Sequence, residues 1–197
     1  MSASIRPINQ ALRGAGFSVN KDNGLYDIRP LVLQNFLQGT YSVTSSTTLA
    51  QIGVGTQASI GAGTDLSVEL QEGDQITEQG TWLVEGRIFL TGALVGIGAK
   101  FNLVAQDGLQ IVTANSQMEI DLSNSGAAPV STYGFASATA TNTASVTAVV
   151  SSIWFSGIVQ VIGYGRLTAQ IAQNVSTGTA VTVGYGSWIR AEAICQL

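Results

Sequence analysis

Histidine is absent from all 197 residues. That removes Ser-His-Asp and Cys-His nucleophile systems, two-His zinc sites and the side chain that most often moves protons near neutral pH. A hydrolase built on this chain would have to work with carboxylates. Cysteine is nearly absent as well. Cys195 stands alone, so no intrachain disulfide can form, and stability without covalent staples fits synthesis in a reducing cytoplasm. Near the chain end, Cys195 reads as a small apolar residue at a strand terminus. Charge is scarce: Asp, Glu, Lys and Arg make up 10% of the residues, against about 25% in an ordinary soluble domain. Such a chain either hides surface in an oligomer or solvates it with Ser, Thr, Asn and Gln, and both are expected here. An apolar run suited to a signal peptide is missing from residues 1–13. The most apolar stretch, residues 144–162, is broken by Ser and Thr and is rich in β-branched residues. It reads as long or paired strands, and no membrane partner is expected.

The few charges are unevenly placed. Residues 1–40 hold four cations (Arg6, Arg13, Lys21, Arg29) against Asp22 and Asp27, a net of +2. Residues 41–197 hold Arg87, Lys100, Arg166 and Arg190 against ten carboxylates, a net of −6. So acidic a chain, lacking clustered Lys and Arg, is not a general nucleic-acid binder. Two of the three prolines, Pro7 and Pro30, also fall in residues 1–40. No clean period runs through that segment, yet it is too apolar for a free disordered tail. It is read as an N-terminal arm, residues 1–40, that buries itself on its own oligomer or on another protein. Arg6, Arg13, Arg29, Leu31 and Phe36 are its candidate contacts.

From Tyr41 the pattern becomes short strands separated by glycine and polar turns, and residues 41–197 read as one β-sandwich domain. The expected strands include Tyr41–Ile52, Thr64–Leu70, Thr81–Leu90, Gln117–Leu122 and Ser187–Ile194. In Thr81–Leu90, Trp82, Val84, Ile88 and Leu90 share one face, with Gly86 among them where a neighbour can approach closely. Lys100–Ala105 and Leu109–Thr113, flanking the Gln106–Gly108 turn, read as a hairpin. In the closing strand, Trp188, Arg190, Glu192 and Ile194 alternate with Ile189, Ala191 and Ala193. Period-2 alternation of this kind marks half-buried antiparallel strands, and eight to ten of them without a helical period make an all-β sandwich or barrel.

Candidate chemical sites are weak. Asp65, Glu69, Glu72, Asp74 and Glu78 form the densest acidic group. It reads as a solvated turn, with calcium the next reading and a catalytic carboxylate pair the last. Glu119 and Asp121 share one strand face toward solvent. Residues 96–100 (Gly-Ile-Gly-Ala-Lys) lack phosphate-loop spacing and read as a glycine turn before a strand. Arg87, Arg166 and Arg190 lie within strands and are expected to pair with Glu85 or Glu192. Trp82, Trp154 and Trp188 read as core or subunit interface, with sugar stacking the alternative. No catalytic residue, cofactor or metal site is assigned, and the chain is not read as an enzyme.

One local pattern goes further. Gly165, Leu167, Gln170, Ala172, Gln173 and Asn174, followed by Gly186, Ser187, Trp188, Ile189 and Arg190, resemble the C-terminal hairpin of bacteriophage virion proteins with a tumour-necrosis-factor-like jelly roll. The resemblance covers about thirty residues clearly and the strands from Tyr41 loosely. It implies an antiparallel jelly-roll sandwich with an extended N-terminal arm, assembled as a homotrimer. It also implies a capsid decoration (cement) protein on the virion surface, with the major capsid protein as partner. The alternative within that family is a receptor-binding head or small fibre gripping host carbohydrate; no repetitive stalk is present to favour it.

Overall fold

The computed structural model describes residues 17–18, 29–30, 32–53, 66–71, 80–124 and 130–194. Apart from one 3-10 turn at Thr113–Asn115, the regular elements described are strands. In chain order they are β1 (Phe17–Ser18), β2 (Arg29–Pro30), β3 (Val32–Phe36), β4 (Tyr41–Val43), β5 (Ala50–Gln51) and β6 (Ser67–Gln71). The long β7 (Gly80–Thr91) is followed by β8 (Ala99–Gln106), β9 (Gln110–Ile111), β10 (Gln117–Asn124), β11 (Val130–Tyr133), β12 (Phe135–Ser137) and β13 (Ala140–Thr141). The chain continues with β14 (Ala144–Val146), β15 (Val150–Ile162), β16 (Tyr164–Gln173), β17 (Val181–Val183) and β18 (Trp188–Ala193).

Two antiparallel sheets pack face to face as a jelly-roll-like sandwich. The first runs β11-β10-β15-β7-β17-β4, with β18 beside β7, β3 beside β18 and β9 beside β15. The second runs β12-β13-β8-β16-β5, with β14 on β8 and β6 on β16. Each sheet turns one side inward, as alternation requires. Trp82, Val84, Ile88 and Leu90 of β7 and Ile153, Phe155, Val159 and Val161 of β15 are buried from the first sheet. Phe101, Leu103 and Ala105 of β8 and Leu167, Ala169 and Ile171 of β16 answer them from the second. At the centre the rings of Phe101 and Phe155 stack across the sheets with centroids 5.4 Å apart. Gly86 makes room for that stack: a Cβ there would lie 2.2 Å from Cζ of Phe155 and 2.6 Å from the carbonyl oxygen of Trp188.

Two expectations about connectivity are corrected. Tyr41–Ile52 is not one strand. β4 joins the first sheet through β17, and β5 joins the second through β16. Between them Ser45 adopts a left-handed φ of 54°, and the buried Gln173 accepts the N–H of Ser46, so the chain crosses from sheet to sheet. Residues 100–105 and 109–113 do not form a hairpin either. The turn is there, with Asp107 and Gly108 at φ 58° and 95°. However, β8 already has β16 on one side and β13 and β14 on the other. β9 therefore crosses to the first sheet, where Gln110 and Ile111 pair with Ile162 and Val161.

The segment read as an arm runs into the sandwich. Val32–Phe36 pairs with β18 from Trp188↔Phe36 to Glu192↔Val32, and Leu37 is in the core. The boundary at residue 40 therefore falls inside the body, because five alternating residues find an open edge of β18. Arg6, Arg13 and Leu31 lie outside the described residues. Arg29 is placed by its backbone alone, opposite Ser18 in the β1–β2 ladder.

Candidate interaction face

The outward side of the first sheet carries the exposed aromatic side chains Phe36, Phe89 and Trp154. Asp121, Trp154, Arg87, Trp188 and Phe36 lie side by side on β10, β15, β7, β18 and β3. At about 4.8 Å between strands, the row is about 19 Å long. Trp154 is 41% exposed and Phe36 48%. The Arg87 guanidinium carbon stands 5.4 Å from the ring centroid of Phe89, on the same side of β7, an arrangement that holds the cation over a π face.

A polar row follows, made of Glu119, Ser156, Glu85, Arg190 and Gln34. Arg190 binds Glu85 at 2.7 Å through Nη1 and Glu192 through Nη2, so the pairs expected for this arginine form. A second apolar row comes next: Ile158, Leu83 and Val32, with Glu192 among them. Ile158 and Val32 are exposed. Five strands of five to thirteen residues cover several hundred Å², of the same order as the roughly 800 Å² each partner contributes to a standard interface. Trp and Arg set among apolar side chains match the composition of interface centres.

At the end of the β3–β18 pair, a shallow groove of about 490 Å³ is lined by Phe36, Gln38, Tyr185 and Gly186. Gly186 adopts a positive φ of 81° where the chain turns into β18.

The three tryptophans thus separate. Trp82, 3% exposed, is core. Trp154 and the half-buried Trp188 face outward and flank Arg87. The sequence groups all three, because alternation along a strand does not say which of its two faces the opposite sheet covers. Phe89 and Ile158 stand at even spacing from Arg87 and Trp154, the signal that places them on the same outward side.

The outward side of the second sheet is polar. Glu69, Arg166 and Gln106 share one row, and Gln51 and Gln170 another that ends on the buried Asn102. Arg166 pairs with Asp107 at 2.7 Å, not with Glu85 or Glu192. Tyr164 donates to Glu69 at 2.9 Å, and that carboxylate raises the phenol pKa above its usual value. Tyr133 donates to Glu119 at the β11 edge with the same consequence, and Ser131 donates to Asp121. Glu119 and Asp121 are therefore acceptors for β11 side chains. Asp65, Glu72, Asp74, Glu78 and Cys195 lie outside the described residues, and among the described residues no cluster of three metal-ligating side chains occurs.

No family model and no curated protein matches the sequence. Among solved structures, the chain is similar to a bacterial lipoprotein from Bacteroides thetaiotaomicron. That match is 11% identical, covers 90% of this chain and 93% of the other, and has a TM-score of 0.22. It is also similar to the infectious bursal disease virus VP2 subviral particle, 13% identical over 91% of this chain and 46% of the other, with a TM-score of 0.20. Likeness at this level decides nothing beyond what the two sheets themselves define.

Proposed function

We propose that this chain is a structural protein of a virion, a capsid decoration protein that works as a homotrimer. The observation that supports the reading is the outward side of the first sheet, where Trp154, Arg87, Trp188 and Phe36 stand in one row on a protein with 10% charged residues. In this reading, that face is covered by neighbouring subunits, and the residues before β3, which hold the positive charge, grip the shell. The polar second sheet faces solvent. A face of this size is larger than a sugar site needs, which sets decoration ahead of receptor binding. The receptor-binding reading draws on the same row, since Trp154 offers an exposed indole beside Arg87 for stacking on carbohydrate.

The test is co-sedimentation with capsids stripped of the native copy. A truncation should stop before Val32, because β3 and Leu37 belong to the sandwich. Removal of residues 1–30 is expected to leave a folded oligomer that binds capsids far less well, since three arms act together. Undiminished binding would move the grip onto the sandwich. Retention of the full-length protein on host polysaccharide with no binding to capsids would replace decoration by receptor recognition.

A further inference from the structure

β3 is an edge strand, and its hydrogen-bonding pattern shows which of its groups are open. The N–H of Leu37 donates to the carbonyl of Ser187 at 2.8 Å, and the register with β18 runs Phe36↔Trp188, Asn35↔Ile189, Gln34↔Arg190. In an antiparallel ladder this makes Asn35–Ile189 and Leu33–Ala191 the bonded pairs. The backbone N–H and C=O of Val32, Gln34 and Phe36 therefore point away from β18. β18 obeys the same rule on its other side, where Ile194 donates to the carbonyl of Thr81 in β7. Among the described residues no strand pairs with β3 on its outer side. The strand reads Val-Leu-Gln-Asn-Phe, with none of the Lys, Pro or bulges that natural proteins place on edges to prevent pairing.

We propose that β3 pairs with β3 of a second copy, antiparallel, about a two-fold axis through Gln34. The sequence is complementary to itself in that register. Gln34 lies opposite Gln34 of the second copy, and Val32 lies opposite its Phe36 on both sides of the axis. The three residues whose backbone groups point outward become the three bonded pairs, so each open N–H meets an open C=O. On the outward face the side chains form two aliphatic–aromatic contacts around a pair of amides, which are favourable cross-strand neighbours. The two first sheets become one continuous sheet, and the Trp188–Phe36 row of one copy meets the Glu192–Val32 row of the other. A two-fold contact of this kind uses the same patch on both copies. It therefore differs from a three-fold contact, and in a trimeric protein it would join trimers in pairs. The inference does not depend on the capsid reading.

The experiment uses charge at the axis. Gln34 is exposed, so Gln34→Lys and Gln34→Glu leave the sandwich folded, which circular dichroism verifies. Each variant places like charges opposite each other, and the masses of wild type, the two variants and their 1:1 mixture are measured by sedimentation velocity over a concentration series. The expected result is several-fold weaker two-fold association for each variant alone and recovery in the mixture. A fall from six copies to three supports the pairing and leaves the trimer standing. A fall from two to one supports the pairing and removes the trimer. Equal masses for wild type and both variants overturn the pairing, and if that mass is a trimer, the decoration reading survives without it. A wild type that stays monomeric overturns both.

Discussion

The two sheets obey the same rule on the inside and differ on the outside. β7 and β15 of the first sheet, like β8 and β16 of the second, send every other side chain into one core, where Phe155 and Phe101 meet. Outward, the first sheet presents Trp154, Phe89, Ile158 and Phe36, whereas the second presents Gln51, Gln106, Gln170, the Arg166–Asp107 pair and, among the described residues, a single exposed aromatic, Tyr164, whose hydroxyl donates to Glu69. Folding accounts for the inner faces and says nothing about the outer ones. A polar outer face is what a solvated sheet carries. An aromatic one keeps its side chains out of the core and exposes them, which makes sense when another surface covers them.

The comparison is broken most severely from within. Phe155→Ala removes the ring at the centre of the sandwich and should destabilise it by about 3–5 kcal/mol, equivalent to a fall of roughly 10 °C in Tm for a domain of this size. Both outer faces should be lost together. Thermal melting followed by circular dichroism measures this. An unchanged Tm would mean that the stacked pair does not anchor the core.

Gly86→Ala should have a smaller effect and act on one face more than the other. The new methyl group collides with the Phe155 ring and with the backbone of Trp188, and overpacking of this kind costs about 1–3 kcal/mol. Because β18 must shift, the Trp188–Phe36 row moves while the second sheet stays in place. Loss of hydrogen-exchange protection confined to β18 and β3 is the expected pattern, and equal loss across β8 and β16 would contradict it.

Alkaline pH should have a gradual effect. Burial raises the Tyr41 phenol pKa above 10.0, so the folded state favours the protonated form. The stabilising contribution is complete below pH 10.0, the unfolded value, and declines as pH rises from there through the folded pKa. Tm should hold steady to about pH 9 and fall above about pH 10, and Tyr41→Phe should reduce that slope. A slope identical in wild type and variant would assign the alkaline loss to other groups.

The smallest expected effect on stability is the most discriminating between faces. Trp154→Ser on the first sheet and Gln170→Ser on the second both change exposed or half-exposed positions, and each should shift stability by no more than about 0.5 kcal/mol. Chemical denaturation checks this. A loss of several kcal/mol for Trp154→Ser, measured at concentrations where both proteins are monomeric, would make that indole part of the fold and not of an interface.

Much of this molecule was legible in the chain. The alternation of Trp82, Val84, Ile88 and Leu90, with Gly86 at the close approach, was readable because a half-buried strand writes its burial directly into its side chains. So was the split of Ser187–Ile194 into two faces. Partner choice was not legible. Residues 109–113 have strand character whether they pair with β8 or with β15, and only the prior occupation of both β8 edges sends β9 across. Val32–Phe36 hid for a different reason: an edge strand half exposed on both sides shows no clean period, so it blended into the segment before it. The interaction face was seen only in part, because it is assembled from single residues on five strands, and no one of those strands is unusual by itself.

The central claim is that the outward side of the first sheet is an interface and that of the second is not. The most direct test is the solution mass of wild type, Trp154→Ser and Gln170→Ser by sedimentation equilibrium at matched concentrations. An oligomer is expected for wild type and for Gln170→Ser, and a shift toward the 20.4 kDa chain mass for Trp154→Ser with its far-ultraviolet circular dichroism spectrum preserved. Equal oligomers for all three proteins, or a loss of assembly for Gln170→Ser alone, would contradict it.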